Sequence, residues 1–579
     1  MKKLLTVSLV LVAIVLLASP IFAQPVWRVN QYGQITKDNQ VFRIKGGSWF
    51  GLEGRHEPSN DQANPSGAPM EQYMGNVFWA PSGRTYDTTI ADIKAIGFNT
   101  IRLPLAPQAL DPKDPQGSTK EFLKNAPEVL IENSRLALET IIKKLDTAGM
   151  YVMLDIHSCS NYVGWRAGRL DARPPYADKD RDGGYDFLRE DCSCAATNNP
   201  SSVKRIQEYN ESKWLADLKT LAGMSDDLGV DNIIGIDIFN EPWDYSWAEW
   251  SAMIDKAYNA INSVNSNILV FAQGIGSTYG NQDGNPDDKE ITPHGEEFTN
   301  PNWGENFYEA GDNPPSMPKN RLVYSPHTYG PSVFVQRSFM DPSQPECEGL
   351  EGDEAGDNEC NIIINPTILE EGWDEHFGYL KLMGYGMAIG EFGGNITWPD
   401  GATTRDQNRY KYLQDKTVDL QWQKAFFAYL AKRGITDSFY WSINPESGDT
   451  GGVFDHAYDP VSNTGGWGTW RSPNQTKVTM LKGLWNAPEV TPDIATGTTP
   501  PNGETPTPTG STGCGTGDAN RDGSTNIVDS LLIAQYYVQQ PVSIDTANSD
   551  VNGDGSINIV DALLIAQKYV GIISEFTCN

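Results

Sequence analysis

Between Trp27 and Trp485 the chain alternates two textures. Short runs rich in β-branched and aromatic residues predict strands at Phe42–Lys45, Thr100–Leu103, Tyr151–Asp155, Ile233–Phe239, Ile268–Ala272, Leu322–Ser325, Met387–Ile389 and Ser438–Trp441. Several of these lack polar alternation, as strands buried on both faces of a parallel sheet do. Between them, apolar residues recur every three to four positions, which predicts helices within Glu128–Ala148, Val203–Asp227, Trp247–Val264 and Asn408–Lys432. Eight strands alternating with helices predict an α/β fold, a (β/α)8 barrel. An open doubly wound sheet would want a glycine-rich phosphate turn after its first strand, and Gly46-Gly47 do not supply one.

The pattern changes at both ends. Residues 1–23 carry Lys2 and Lys3, then an apolar run of 15 residues from Leu4 to Ala18, and close on Ala23. This reads as a secretory signal peptide, because a membrane span needs about 20 apolar residues. No later segment is long and apolar enough to span, so the expected protein is exported, extracellular and not inserted in a membrane. Residues 24–487 form the large globular region, and 488–513 are a Pro/Thr/Gly linker. A compact segment, 514–579, follows. The large region holds 464 residues, far more than the roughly 250 of a plain barrel. The excess falls in insertions near 53–85, 159–200, 276–320 and 341–367, where loops after strands would shape a cleft.

Composition narrows the partners. The 579 residues include 44 Lys and Arg against 75 Asp and Glu, a net charge of −31. Such a chain repels nucleic-acid phosphates and anionic membranes. Aromatics at 10 % and charged residues at 21 % exclude disorder, and 16 Trp suit a groove that stacks on sugar rings. Seven cysteines can oxidise after export. Cys347 and Cys360 bracket one acidic loop and are expected partners; so are Cys514 and Cys578 around the small domain. Cys159 has Cys192 or Cys194 to choose from. No spacing fits a zinc site.

Polar residues gather where the predicted strands end: Arg102, His157, Asn240 and Glu241, His327 and Tyr329, Glu391, and Trp441. Barrel enzymes build their sites at that face. Glu241 and Glu391 sit three strands apart, and a pair of carboxyls across a barrel mouth suits glycosidic cleavage, which needs an acid and a nucleophile or base. Either Glu alone reads equally as a strand-capping ion pair. Arg102 alone reads as a bridge to a barrel carboxylate, and His157 or Trp441 as core.

Phe239-Asn240-Glu241-Pro242 and Ile389-Gly390-Glu391-Phe392-Gly393 resemble the two signatures of glycoside hydrolase family 5. Thr100-Ile101-Arg102-Leu103-Pro104 and Ser325-Pro326-His327-Thr328-Tyr329 match further. The run from Asn444 to Gly452, and Trp49-Phe50-Gly51-Leu52-Glu53, resemble its bacterial endoglucanase branch. The resemblance spans about 41–485. It implies a retaining (β/α)8 cellulase with no cofactor for catalysis, acting on β-glucan. Glu241 would be acid/base and Glu391 nucleophile. Asn240 would hold the sugar 2-OH, and Arg102 and Tyr329 would keep Glu391 ionised. His157 and His327 would line the subsites, Trp441 would lie under the sugar, and Trp49 and Asp449 would also contact substrate. The chain departs from the family at Ser158-Cys159-Ser160, where relatives often continue with Arg-Pro, and in the insertion 161–200. Action on mannan, xyloglucan or mixed-linkage glucan is the alternative; a non-catalytic glycan-binding scaffold component is another, which should have lost one Glu.

Calcium-loop spacing occurs in two places. Asp178, Asp180, Asp182 and Asp186 surround Gly183, but position twelve is Arg189, so a solvated acidic loop and a third metal loop stay open. The C-terminal segment repeats itself with a period of 32. Asp518, Asn520, Asp522, Ser524, Asn526 and Asp529 are matched by Asp550, Asn552, Asp554, Ser556, Asn558 and Asp561. Each set is followed by one helix, whose Leu531, Leu532, Ile533 and Leu563, Leu564, Ile565 are expected to pack together. A duplicated half EF-hand after such a linker resembles a type I dockerin. That resemblance implies two calcium sites and docking to a cohesin module of a scaffold protein, which could hold the enzyme at a cell surface. The recognition positions are Ile527-Val528 and Ile559-Val560, where many family members carry Ser-Thr.

Overall fold

The computed structural model describes residues 24–52, 85–105, 110, 134–157, 186–187, 196–197, 211–242, 245–276, 299–400, 404–445, 447, 450–456, 470–488, 490, 516–520, 524–537, 542, 544–552, 557–569, 573 and 576. The chain divides into two compact units, Met1–Ala495 and Thr496–Asn579. The signal segment, the linker apart from 488 and 490, five cysteines (159, 192, 194, 514, 578), the acidic loop at Asp178, Asp180 and Asp182, and site candidates Asp449, Asp522, Asp554 and Ser556 lie outside the described residues.

In the first unit the strands are Lys45–Ser48, Thr100–Leu105, Tyr151–Ile156, Ile233–Asp237 and Leu269–Ala272, then two interrupted strands, then Ser438–Tyr440. The sixth consists of Leu322–Tyr324 and His327–Tyr329, and the seventh of Gly386–Met387 and Ile389–Gly393. Every neighbouring pair is parallel. The ladder runs from the second piece of strand six through seven, eight and one to five, and returns to the first pieces of six and seven. The Ala388 N–H donates to Tyr324 O (3.0 Å) and the Gly390 N–H to Pro326 O (2.9 Å), stitching across both interruptions. The sheet therefore closes on itself as the expected (β/α)8 barrel.

Residues alternate along each strand between barrel interior and helix layer. Ile101, Leu103, Val152, Leu154 and Ile236 pack outward against Ile93, Ile141, Leu221 and Ile254 of the helices. Met153, Leu269, Phe271, Val323 and Phe439 fill the interior floor together with Trp27, Val29 and Ile35, joined by Ile234, beside which the ladder from strand three to strand four slips register. The last three belong to a three-stranded antiparallel sheet, Trp27–Val29, Ile35–Lys37 and Gln40–Val41. It bonds to Asn267, just before strand five, and so plugs the end opposite the strand C-termini.

Two predicted elements are corrected. The first barrel strand is Lys45–Ser48, not Phe42–Lys45. Its Gly46 and Gly47 carry no apolar signal because neighbours fill their space: a Cβ on Gly46 would lie 2.3 Å from the Phe439 ring and 2.6 Å from Ser438 O. The predicted helix Asn408–Lys432 is two helices, Thr404–Arg409 and Val418–Arg433, with the first turn of the second preceded by an Asp415 side chain that accepts from the Thr417 N–H (2.8 Å) and Oγ1 (2.6 Å). That local bond offers the backbone a turn in place of helix. The expected Cys347–Cys360 disulfide is formed.

In the second unit helices Ile527–Tyr537 and Ile559–Tyr569 pack through Ile533, Ala562 and Ile565, with Ala519 and Val551. Contrary to the expected packing, Leu531 and Leu563 do not join this core; they are more than half exposed. Adjacent helical residues are about 100° apart, so a three-residue apolar run cannot share one face. No described helix is long and apolar enough to cross a membrane.

Candidate active site

Strand periodicity sends a set of polar side chains inward at the C-terminal mouth. Arg102, from strand two, is fully buried. Its Nη1 donates to Glu391 Oε1, and its Nη2 lies 2.8 Å from Asp155 Oδ2 and 3.5 Å from Asp237 Oδ2 while donating to Asn240 Oδ1 (3.1 Å). Burial alone would lower the guanidinium pKa, but Asp155, Glu391 and Asp237 raise it above its usual value. The other Glu391 oxygen, Oε2, accepts from the Tyr329 hydroxyl at 2.6 Å. Burial, then Glu391 and Glu241, push the Tyr329 pKa well up, so the phenol stays a donor.

Opposite stands Glu241, with φ at +46° immediately before Pro242. Both the left-handed backbone and the proline disfavour this conformation, a strain of the kind held at functional sites. The Gln273 side chain pins it: Oε1 accepts from the Glu241 N–H at 2.7 Å. The Gln273 Nε2 donates to Asp237 Oδ2 (2.8 Å) and faces Asn240 Oδ1 (3.4 Å). With two donors on its oxygen, the Asn240 amide is oriented, and its Nδ2 makes no hydrogen bond among the described residues. Glu241 Oε1 lies 3.1 Å from His327 Nδ1. Burial, Arg102 and His157 hold the His327 pKa well below its usual value, so the ring is neutral. One atom each of Glu241, His327 and Glu391 lie within 4.8 Å of one another. A cation is poorly served there, because both Glu391 oxygens already accept hydrogen bonds and one partner is a guanidinium.

His157 Nδ1 sits 2.9 Å from Asp155 Oδ2 and 3.6 Å from Glu391 Oε1. Its ring stacks on Trp441 (5.2 Å, 8°), which also stacks on Phe50 (5.4 Å, 17°). The Trp441 Nε1–H donates to Ser447 Oγ at 3.3 Å. The structure thus brings Arg102, His157, Asn240, Glu241, His327, Tyr329, Glu391 and Trp441 together. Trp49 is a correction: at 1 % exposure its ring is packed in the main core, so it offers no open platform. Asp155, Asp237 and Gln273 were missed as site residues. The available signal was a polar residue two positions inside a polar strand end, as in Asp155 and His157.

In the small unit both position-twelve aspartates are buried. Asp529 Oδ1 accepts from the Ala519 (2.9 Å) and Asn520 (3.2 Å) N–H groups, and Oδ2 from the Asn526 N–H (2.9 Å). Asp561 repeats this with Val551 (2.9 Å), Asn552 (3.4 Å) and Asn558 (2.9 Å). The described ends of each loop thereby close on their own carboxylate, and the carboxylate and amide oxygens available at positions one, three and nine suit a hard cation. Ile527, Val528, Ile559 and Val560 are each nearly half exposed.

Comparison with known proteins places the chain in a family. The family model "Cellulase (glycosyl hydrolase family 5)" matches residues 63–447, and the type I dockerin domain model matches 516–569. Endoglucanase C of Cellvibrio japonicus is 55 % identical over 465 residues, covering 79 % of this chain and 62 % of that protein. This chain thus spans less than two thirds of that relative. The major extracellular endoglucanase of Xanthomonas campestris is 28 % identical over 468 residues, covering 79 % of this chain and 71 % of its own. The solved catalytic domain of the major endoglucanase from Xanthomonas campestris superposes with a TM-score of 0.51 at 24 % identity, covering 79 % of this chain and 99 % of that one. An endocellulase from Pyrococcus horikoshii gives 0.51 at 22 % identity, over 80 % and 99 %. These two structures bear on the fold.

Proposed function

The chain belongs to glycosyl hydrolase family 5 and carries a type I dockerin domain, and from that premise we propose that it is a secreted endo-β-1,4-glucanase that cleaves with retention of configuration. The observation that carries the reading is the opposition of two carboxylates with different surroundings across the barrel mouth, one oxygen of each lying within 4.8 Å of the other. Inverting enzymes need a wider gap, roughly 6.5–9.5 Å, to seat a water between the carboxyls. Glu391 is held by a guanidinium and a phenol on its two oxygens, an arrangement that favours an ionised nucleophile. Glu241 faces a neutral imidazole, which can exchange a hydrogen bond with it as it gives and regains a proton.

In the first step Glu241 protonates the leaving oxygen while Glu391 attacks the anomeric carbon, forming a glycosyl-enzyme ester. In the second, Glu241 takes a proton from water, which attacks the same carbon and releases Glu391. The free Asn240 Nδ2 would bond the sugar 2-OH, and Trp441 would border the ring at the cleavage point. The names of the relatives, endoglucanases, support β-glucan as substrate.

The dockerin domain supports calcium binding and a cohesin partner. Asp518, Asn520, Asn526 and Asp529, and Asp550, Asn552, Asn558 and Asp561, would hold the two ions together with Asp522, Ser524, Asp554 and Ser556. Calcium there would supply charge that lets the acidic loops fold. The exposed Ile527-Val528 and Ile559-Val560 pairs would meet the partner.

The test is stereochemical. NMR of the first product from a soluble cello-oligosaccharide should show the β-anomer; an α-anomer first would overturn the mechanism. Hydrolysis compared on carboxymethylcellulose, mannan, xylan and lichenan should be fastest on the first.

A further inference from the structure

Asp155 and Asp237 have no part in the proposed two-step chemistry, yet both are fully buried beneath it. They face each other at the same register of adjacent parallel strands three and four. Each turns Oδ2 toward the same Arg102 Nη2, at 2.8 and 3.5 Å. Each keeps its Oδ1 buried without any hydrogen-bond partner among the described residues. One guanidinium thus serves three carboxylates, the third being Glu391. The remaining groups around the pair do not balance the charge. Gln273 from strand five is neutral and bonds Asp237 Oδ2 (2.8 Å). His157 at the end of strand three lies on Asp155 Oδ2 (2.9 Å), and even with its ring counted as a cation, two cations face the three carboxylates of Asp155, Asp237 and Glu391. His327 from strand six is neutral, and Glu241 at the end of strand four is a further acid.

Two ionised carboxylates cannot sit side by side in a dry site, each with an oxygen that accepts nothing, without a heavy desolvation cost. A single proton removes one charge and occupies one of the unpartnered oxygens. We propose that Asp155 and Asp237 share one proton, so that the pair carries a single negative charge and acts as the positioning base that aims Arg102 at Glu391. The electrostatics agree. Burial pushes Asp155 up to about 7 against the pull of Arg102, and burial and then Asp155 push Asp237 well above the carboxylate range. The positioning role rests on the reading of Glu391 as nucleophile; the shared proton does not.

The experiment uses the full chain labelled with 13C at the Asp carboxyl. At pH 8, above the value of about 6 to which burial raises Asp419, infrared difference spectra should show a protonated aspartic acid. That band should vanish in both Asp155→Asn and Asp237→Asn, because each variant leaves one carboxylate, which keeps the charge. For an aryl cellobioside, the acidic limb of the kcat/KM profile should stay within about 0.3 pH unit in either single variant. It should fall by about one unit in the double variant, where the negative charge near the nucleophile is gone. The absence of a protonated aspartic band at pH 8, or equal additive steps of the limb in the two single variants, would overturn the shared proton. If a variant fails to fold, the wild-type band still decides. An intact band in a protein with no glycosidase activity would overturn the functional reading and leave the pair standing.

Discussion

Glu391 is gripped at both oxygens by groups that cannot be mistaken for water: a buried guanidinium on one side and a phenol on the other. Losing either grip should act on catalysis more than on folding. Glu391→Gln should lose at least about 10³ in kcat with an unchanged unfolding midpoint. Tyr329→Phe should lose about 10²–10³ in kcat, the range for a preorganised donor that stabilises charge at the reacting centre. Glu241→Ala should keep the first step fast for dinitrophenyl cellobioside, whose leaving group needs no proton, and stall on carboxymethylcellulose; equal losses on both would remove Glu241 from the acid role. These residues were legible because strand-end polarity in an otherwise apolar run costs too much to be accidental. Asp155, Asp237 and Gln273 were not, because one polar residue inside a strand has the same look whether it serves the site or caps a ladder. Trp49 misled in the opposite sense: an aromatic beside a barrel strand fits a sugar platform and a core equally well, and only packing tells them apart.

At the scale of elements, what the pattern of the chain conceals is where space has already been filled by a neighbour. Strand one is the example, since Gly46 and Gly47 leave room for Phe439, Ile443 and Phe98. Gly46→Ala should therefore destabilise the protein by about 1–3 kcal/mol, the usual cost of overpacking a core, measured by chemical unfolding. Lys477 is a second such element-level part. From helix Gln475–Trp485 its buried Nζ donates to Thr450 O (3.0 Å) and Gly452 O (2.9 Å). Thr450 Oγ1 in turn bonds Ser447 Oγ (2.7 Å), the acceptor of Trp441 Nε1. Burial lowers the Lys477 pKa to about 8, against the opposing pull of Asp419. In the unfolded chain the same amine titrates near 10.5. A folded-state value below the unfolded one means a contribution present above the unfolded pKa and lost as pH falls through the folded one. The stability of wild type over Lys477→Met should thus grow as pH rises from about 8 toward 10.5, by up to about 1.4 kcal/mol for each pH unit crossed. The neutral amine still donates both bonds, and only the buried charge is lost. A pH-independent difference over that range would mean that the amine titrates in the fold as it does in the unfolded chain, and would overturn the lowered value.

For the whole molecule, the alternation of strands and helices was enough to fix a closed barrel, because eight short strands buried on both faces have few other solutions. The internal repeat was equally plain, since a period of 32 residues carries both loop and helix. What the repeat left out was the direction of its leucines. With Leu531 and Leu563 turned to solvent, the small unit's core among the described residues is Ala519, Ile533, Val551, Ala562 and Ile565, with Ala534, Ile544, Ile557, Leu564 and Phe576 only partly buried against it. A core of that size does not hold a domain of this length without a staple or a metal. Its acidic loops, each gathered round a buried aspartate, add repulsion that a cation would cancel. The barrel differs in both respects. Its core is extensive, and the chemistry proposed for it uses two carboxylates and water. A chelator should therefore split the protein's behaviour. Circular dichroism and calorimetry should show the 514–579 unit melting in excess EDTA and refolding on added calcium, with a stabilisation that grows with free calcium as binding to the folded state requires. Cohesin binding should be lost with it, while hydrolysis of carboxymethylcellulose stays within about twofold, the scatter expected for a step that involves no metal. Parallel loss of both activities would place a required cation in the barrel, and mutation of Asp178, Asp180 and Asp182 to Asn would then test the one remaining loop of that spacing.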